Sequence, residues 1–462
     1  MNSLRAQLLT CLVFLLSPAF LAAAEEPAVY AVTNARIVTV SGPPIERGTV
    51  VIRNGIIEAV GPDIAVPGDA RVIDAAGLTV YPGLIDALSD FGLEEAQAQP
   101  ASPSRTTPSP GPPSGAAPAA AQQPRQSPDE RLGLTPYRQV SELINPANRK
   151  IEAGRAAGIT TALVAPRRGF FPGQSALVNL SGGDIGQMVL KIPVGFHINL
   201  ASARGFGGGY PGSPMGVFAF VRQTLLDAEH YGIAWGIYRA NPGARRPEYS
   251  RALEALQPVV KKEIRAVLPG DDPTQIRRVL DLAEACKLDI MLSGGAEAAG
   301  IAPVLKERKI PVLLSVKYPE RDRDADPDLR EEFSELKRRV EAPANPAALA
   351  RAGVIFAFQS GDMANPRDFV RNVGKAVEAG LDRDVALRAL TLTPAEVFGV
   401  ADRLGSIEKN KTANLVLATG DIFKPDTRVK FVFIDGMKFE ITEADTSTSE
   451  TQRPQRPGGE GN

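Results

Sequence analysis

The chain carries β-type sequence at both of its ends, and whatever lies between must bring those ends back together. Residues 28–82 run in short apolar and polar alternations, among them Ala31-Val32, Arg36-Ile37-Val38, Thr49-Val50-Val51-Ile52 and Ile56-Ile57. Asn54-Gly55 between the last two is a type I′ hairpin signal. Residues 406–440 have the same character, with Asn414-Leu415-Val416-Leu417, Val429–Ile434 and the turn pair Asp435-Gly436. Two segments so far apart share one β module only if the intervening domain has adjacent termini. The expectation is a composite β-sandwich from residues 25–82 and 405–442.

The middle alternates strand and helix. Asn145-Pro146 opens a helix expected to end near Gly158, and 159–164 follows as a strand. Ser213-Pro214 opens another, striped by Val217, Phe220, Val221, Leu225 and Ala228, with Gly232 placed just past its end. Asp272-Pro273 opens a third, striped by Ile276, Val279, Leu280 and Ala283, which leads into strand 288–292. Helix 297–308 with strand 310–314, and strand 354–358 with the helix begun by Asn365-Pro366, repeat the unit. Apolar strands alternating with amphipathic helices imply a parallel sheet covered by helices. For residues 83–404 the expected closed form is a TIM-type (β/α)8 barrel, an α/β fold. Residues 96–128 and the tail 443–462 have almost no large apolar side chains and are expected to be disordered.

Charge and residue counts exclude several functions. Lys and Arg number 52 against 53 Asp and Glu, with no long basic run, so nucleic acid is not an expected partner. Two cysteines build no disulfide framework, and two histidines cannot supply a four-histidine metal cage. Arg5, the apolar stretch 6–16 and Ala22-Ala23-Ala24 before Glu25-Glu26 read as a signal peptide over residues 1–24. The expected location is therefore periplasmic or secreted, with no membrane span in the mature chain. Cys286 is then its only cysteine, on a helix expected to face a core.

The most specific stretches are Val72-Ile73-Asp74-Ala75-Ala76-Gly77 with Tyr81-Pro82-Gly83-Leu84-Ile85-Asp86-Ala87, and Ala386-Leu387-Arg388-Ala389-Leu390-Thr391 with Thr393-Pro394-Ala395. Leu404-Gly405-Ser406-Ile407-Glu408, Lys411-Thr412-Ala413-Asn414-Leu415-Val416 and Ile434-Asp435-Gly436 continue the second. In these the chain resembles the amidohydrolase superfamily, particularly its imidazolonepropionase-like and dihydroorotase-like members, over nearly all of 28–440. The resemblance implies a metal-dependent hydrolase barrel that cleaves carbon-nitrogen bonds in amides or cyclic imides, with the sandwich built from both termini. It also implies a His-x-His pair after the first barrel strand, where this chain reads Leu88-Ser89-Asp90. An alkyl side chain has no lone pair to give a metal. By the same alignment the metal-bridging lysine falls at His197, the fifth-strand histidine at Ser293 and the sixth-strand position at Ser315. The eighth-strand aspartate falls at Asp362, or at Gly361 with a one-residue shift.

His197 at a strand end is a candidate substrate-binding residue, weighed against a hydrogen-bonded histidine in a filled pocket. His230 reads as a helix-end imidazole favoured by the helix dipole. Asp90 and Asp362 follow neighbouring strands and are expected to meet at the mouth, either sharing acid and base roles or solvated separately, with Asp362 capping the turn before Asn365-Pro366. Glycines 207–209 lack the lysine and hydroxyl of a phosphate loop, and no Ser-His-Asp order is legible. Two expectations of different class follow. One is a metal-free, catalytically degenerate member that needs no cofactor and acts by binding a small ligand or by association, as a homodimer or with an intact homologous hydrolase. The other is a hydrolase of non-peptide carbon-nitrogen bonds with an altered site, taking Asp362 as general base, Asp90 or His197 as remaining ligands, and a divalent metal.

Overall fold

The computed structural model describes residues 29–94, 129, 131, 133–201, 211–241, 243–321 and 330–442. Residues 1–24 expected as a signal peptide, the segments 96–128 and 443–462 expected to be disordered, and glycines 207–209 lie outside them.

The strands in chain order are β1 (Tyr30–Ile37), β2 (Ile45–Arg53), β3 (Ile56–Gly61), β4 (Arg71–Asp74), β5 (Thr79–Pro82), β6 (Leu84–Ser89), β7 (Ile159–Val164), β8 (Gly173–Gln174) and β9 (Ala176–Asn179). They continue as β10 (Val189–Lys191), β11 (Phe196–His197), β12 (Ala266–Gly270), β13 (Ile290–Gly294), β14 (Val312–Ser315), β15 (Phe356–Gln359), β16 (Leu415–Ala418), β17 (Val429–Ile434) and β18 (Met437–Glu440).

Strands from the two ends of the chain do share a sheet. Its order is β18-β17-β16-β5-β1-β2-β3, with β4 also pairing β1, so hydrogen bonding joins all eight in one sheet and not in two stacked ones. The join is β5 to β16, antiparallel from Thr79 opposite Ala418 to Pro82 opposite Leu415. Both anticipated hairpins form. Asn54 and Gly55 have φ of 52° and 79°, Asp435 and Gly436 of 51° and 76°, the left-handed pair a type I′ turn requires. The two turns press together: a Cβ on Gly436 would lie 2.6 Å from the Gly55 Cα. Here glycine serves close approach as well as φ.

The middle forms two further sheets, β10-β9-β7-β6 and β15-β14-β13-β12-β11-β8. The expected all-parallel order fails at one place. Residues 173–179 run against their neighbours, β8 antiparallel to β11 and β9 antiparallel to β7, so one bent segment bridges the sheets. At the other junction no ladder joins β15 to β6. Instead the Gly361 N–H donates to the Leu88 carbonyl at 2.9 Å, and Asp86 Oδ1 accepts from the Ser360 and Leu88 N–H groups at 2.9 and 3.2 Å. Hydrogen bonding therefore leaves the ring open there, latched by a carboxylate. Inside, Ile85, Ala87, Leu163, Leu177, Val267, Met291, Leu313 and Ala357 from seven strands form one apolar cluster, extended by Phe398, Val400 and Leu404. The helices pack outside through Ile151, Val221, Ile276, Leu305, Leu349 and Phe369.

Helix starts follow the capping signals with one exception. Ser213, Asp272 and Asn365 cap as anticipated, but Asn145 makes an Asx turn to the Ala147 N–H, and Asn148 caps helix Arg149–Ala156. The helix expected to stop at Gly232 runs through it, from Pro214 to Ala240. A Cβ on Gly232 would lie 2.3 Å from Gln257 Oε1, and Gln257 Nε2 donates to the Ala228 and Leu253 carbonyls at 2.8 and 3.0 Å. The glycine admits a buried side chain that ties two helices; it is not a terminator. His230 consequently sits mid-helix and exposed, where the terminal dipole does not reach it. Among the described residues no helix is long and apolar enough to cross a membrane.

A buried polar junction docks the composite sheet on the middle. Asn179 Nδ2 donates to both Asp435 carboxylate oxygens at 2.8 Å, while its Oδ1 accepts from Thr161 Oγ1 at 2.8 Å and Asn414 Nδ2 at 2.9 Å. Asn414 Oδ1 accepts the Asp435 N–H at 2.8 Å. Burial raises the Asp435 carboxyl above its usual range, and the Asn179 amide acts against that rise.

Candidate functional site

A cavity of about 520 Å³ opens among the carboxyl ends of the parallel strands, the end where barrel enzymes place their chemistry. Each strand supplies its terminal residue or the loop just after it. Ser89 ends β6, Arg167 follows β7, His197 ends β11, Asp271 follows β12, Ser293 and Gly294 end β13, Ser315 and Lys317 follow from β14, and Gln359 and Asp362 from β15.

His197 lies in the wall of this cavity. It is buried, its Nε2 has no partner, and burial pushes the imidazole down to about 3, so it is neutral at physiological pH. That nitrogen is enclosed, so the ring lines the cavity without presenting Nε2 to it. Ser293 and Gln359 meet beside it, Gln359 Nε2 donating to Ser293 Oγ at 3.2 Å. Ser315 Oγ accepts the Lys317 N–H at 3.2 Å. His197, Ser293, Gln359 and Ser315 thus give the lining a group of uncharged polar side chains.

The two aspartates expected to meet are each held by a cation instead. Asp362 is ion-paired with Lys317 at 2.9 Å, and that bond holds its carboxyl below the ordinary range. It does not cap the following helix; Asn365 does. Asp90 is ion-paired with Lys150, and its Oδ2 lies 3.7 Å from the Arg167 guanidinium. Arg167 in turn donates to the Gly361 carbonyl at 2.7 Å and adds its charge to the field that lowers Asp362. The carboxylates therefore flank a shared guanidinium, and only Asp362 lines the cavity.

Three residues singled out by geometry had carried no expectation. Arg167 and Lys317 put positive charge at the rim, and Asp271 lines the wall with its carboxyl raised above the ordinary range, chiefly by burial. Each follows an apolar strand by one to three residues, the one signal in sequence that marks the mouth. Asp86, read only as part of a motif, has a carboxyl pushed up to about 7 by burial, against the pull of its hydrogen bonds from Ser360 and Leu88.

The donor set does not fit a divalent ion. Where the resemblance implies two imidazoles, Leu88 presents an alkyl group; Ser293 and Ser315 are neutral, and Asp90 and Asp362 are occupied by lysines. Among the described residues, no three of His, Cys, Asp and Glu come together to hold a metal. Catalytic zinc takes three such ligands.

A model of the Amidohydrolase family matches residues 268–438, from within β12 to within β18. Dihydropyrimidinase-related protein 5 of Homo sapiens is 52% identical over 42 residues, 9% of this chain and 7% of that protein. Dihydroorotase of Geobacter sulfurreducens is 50% identical over 48 residues, 10% of this chain and 11% of that one. The chain thus matches roughly a tenth of the length of these curated relatives. Of solved structures, an amidohydrolase from Thermotoga maritima MSB8 superimposes with a TM-score of 0.71 at 24% identity, covering 89% of this chain and 100% of the other. A prolidase complexed with N-methylphosphonate-L-proline gives 0.53 at 14% identity over 90% of this chain and 100% of its own. At these identities the likeness is one of fold.

Proposed function

We propose that the chain is a binding member of the amidohydrolase superfamily, which holds a small polar ligand at the strand-end cavity without a metal and without hydrolysing it. The observation that carries this reading is the replacement of imidazole and free carboxylate donors by Leu88, Ser293, Ser315 and two lysine-bound aspartates around an intact cavity. His197 in the cavity wall is the ligand contact, and Arg167 and Lys317, each beside an aspartate, give a rim of mixed charge that selects for polar ligands. The seven-strand interior cluster and the strand-end cavity support reading the middle as of TIM-barrel type, with the Asp86 latch across the seam that the ladders leave open. The shared sheet supports one composite module built from both ends of the chain.

The purified protein is expected to carry no stoichiometric zinc, and to show a thermal shift with one of a panel of cyclic imides and N-acyl amino acids that it does not turn over. About one zinc per chain, lost together with hydrolysis on chelation, would overturn the reading. Substitution of His197 by alanine should abolish the shift while leaving the melting cooperative. Export is proposed from the leader-like residues 1–24, and mass spectrometry of cell-derived protein should find a start near Glu25.

A second reading, hydrolysis through an altered site, is favoured by Asp271. A general base works best when its pKa lies near the working pH. Lys317 makes Asp362 a poor base, whereas burial shifts Asp271 in the useful direction within the same cavity. Turnover abolished by Asp271→Asn and indifferent to chelation would establish that reading in place of the first.

A further inference from the structure

The long helix Pro214–Ala240 is apolar on two opposite faces, and the barrel uses only one. Val217, Val221, Thr224, Ala228 and Tyr231 face the core. At about 100° per residue, Met215, Leu226, Ile233 and Ile237 lie roughly half a turn away from them. These four are 80%, 42%, 57% and 58% exposed. An exposed apolar stripe on a helix already packed by its opposite face marks an interaction site.

From the symmetry of this stripe we infer that it is the contact between two copies of the chain, packed antiparallel about a two-fold axis through Leu226. Met215 and Ile237 stand eleven residues to either side of Leu226, and Ala219 and Ile233 seven to either side. Turning the helix about Leu226 therefore sets Met215 over Ile237, the small Ala219 over the large Ile233, and Leu226 over itself. The same surface on each copy then serves both sides, as a closed dimer requires.

Charge supports the same register. Arg222 and Glu229 stand on one flank of the stripe; both are exposed, and both bear on the Cys286 thiol with opposite sign, which puts them on the same side. In an antiparallel pair, residues on the same flank face each other across the axis. Arg222 lies about 6 Å along the helix from Leu226 and Glu229 about 4.5 Å in the other direction, so each Arg222 comes beside the Glu229 of its mate, twice over. A parallel pair would not oppose them. On the other flank His230 and Gln223 come together in the same way. This interface is independent of the ligand reading of the cavity, and either can fail without the other.

Sedimentation of the full chain at micromolar concentration should show a dimer. Ile233→Glu with Ile237→Glu should raise its dissociation constant at least about a hundredfold. Arg222→Glu alone should weaken it about fivefold, and adding Glu229→Arg should restore it. Leu226→Cys, placed on the axis, should give a disulfide-linked dimer under mild oxidant, whereas the parent treated alike should not. All substituted side chains are exposed, and circular dichroism controls for folding. A monomer at these concentrations, a dimer indifferent to Ile233→Glu with Ile237→Glu, or a stripe occupied by a different protein in the native fraction would each overturn the inference.

Discussion

Asp86→Asn is expected to remove a loss of stability that the parent suffers as pH rises. The Asp86 carboxyl titrates near 7 when folded and near 3.8 when unfolded, because burial penalises its charge. The native state therefore binds the proton more tightly, and stability falls as pH rises from about 4 to about 7. A shift of about three units corresponds to about 4 kcal/mol. Asparagine keeps the Oδ1 acceptor for the Ser360 and Leu88 N–H groups, so the seam between β6 and β15 stays latched while the titration disappears. Urea unfolding of both proteins at pH 4 and pH 8 measures it. The difference between them should move in favour of the variant by about 4 kcal/mol, and a difference that does not change with pH would refute the assignment.

The second large effect belongs to the junction between sheet and barrel. Asn179→Ala removes four hydrogen bonds at once and leaves the half-buried Asp435 carboxylate without its amide donor. Leaving a buried charge unpaired costs about 3 to 5 kcal/mol. Asp69→Ala serves as the comparison, since it breaks only an exposed ion pair to Arg53, which solvent screens, and should move the midpoint far less. Equal midpoints for the two variants in urea would show that the junction is ornamental to stability.

The candidate site was legible as a location and opaque as an arrangement. His197, Ser293, Ser315 and Asp362 could be placed at strand ends because strands of apolar residues end where polar residues begin. Their partners could not. Lys150 and Asp90 are sixty residues apart, Lys317 and Asp362 forty-five, and an ion pair across such distances has no local signature. The pairing that Asp90 and Asp362 were expected to make with each other fails for that reason: a carboxylate near a surface takes the nearest cation, and which cation is nearest is a property of the fold. The same holds for Gly232, whose role is set by Gln257, twenty-five positions on.

By itself the sequence determined whatever depends on neighbours along the chain. Asn54-Gly55 and Asp435-Gly436 specify type I′ turns through their own φ preferences; Ser213, Asp272 and Asn365 start helices through their own side-chain oxygens. The absence of imidazoles beside Leu88 is likewise a matter of composition. Tertiary structure alone decided the antiparallel run of residues 173–179, the carboxylate latch at Asp86 and the neutral state of His197. Each of these rests on desolvation or on hydrogen bonds between segments distant in the chain, and those energies exist only once the chain has closed around them.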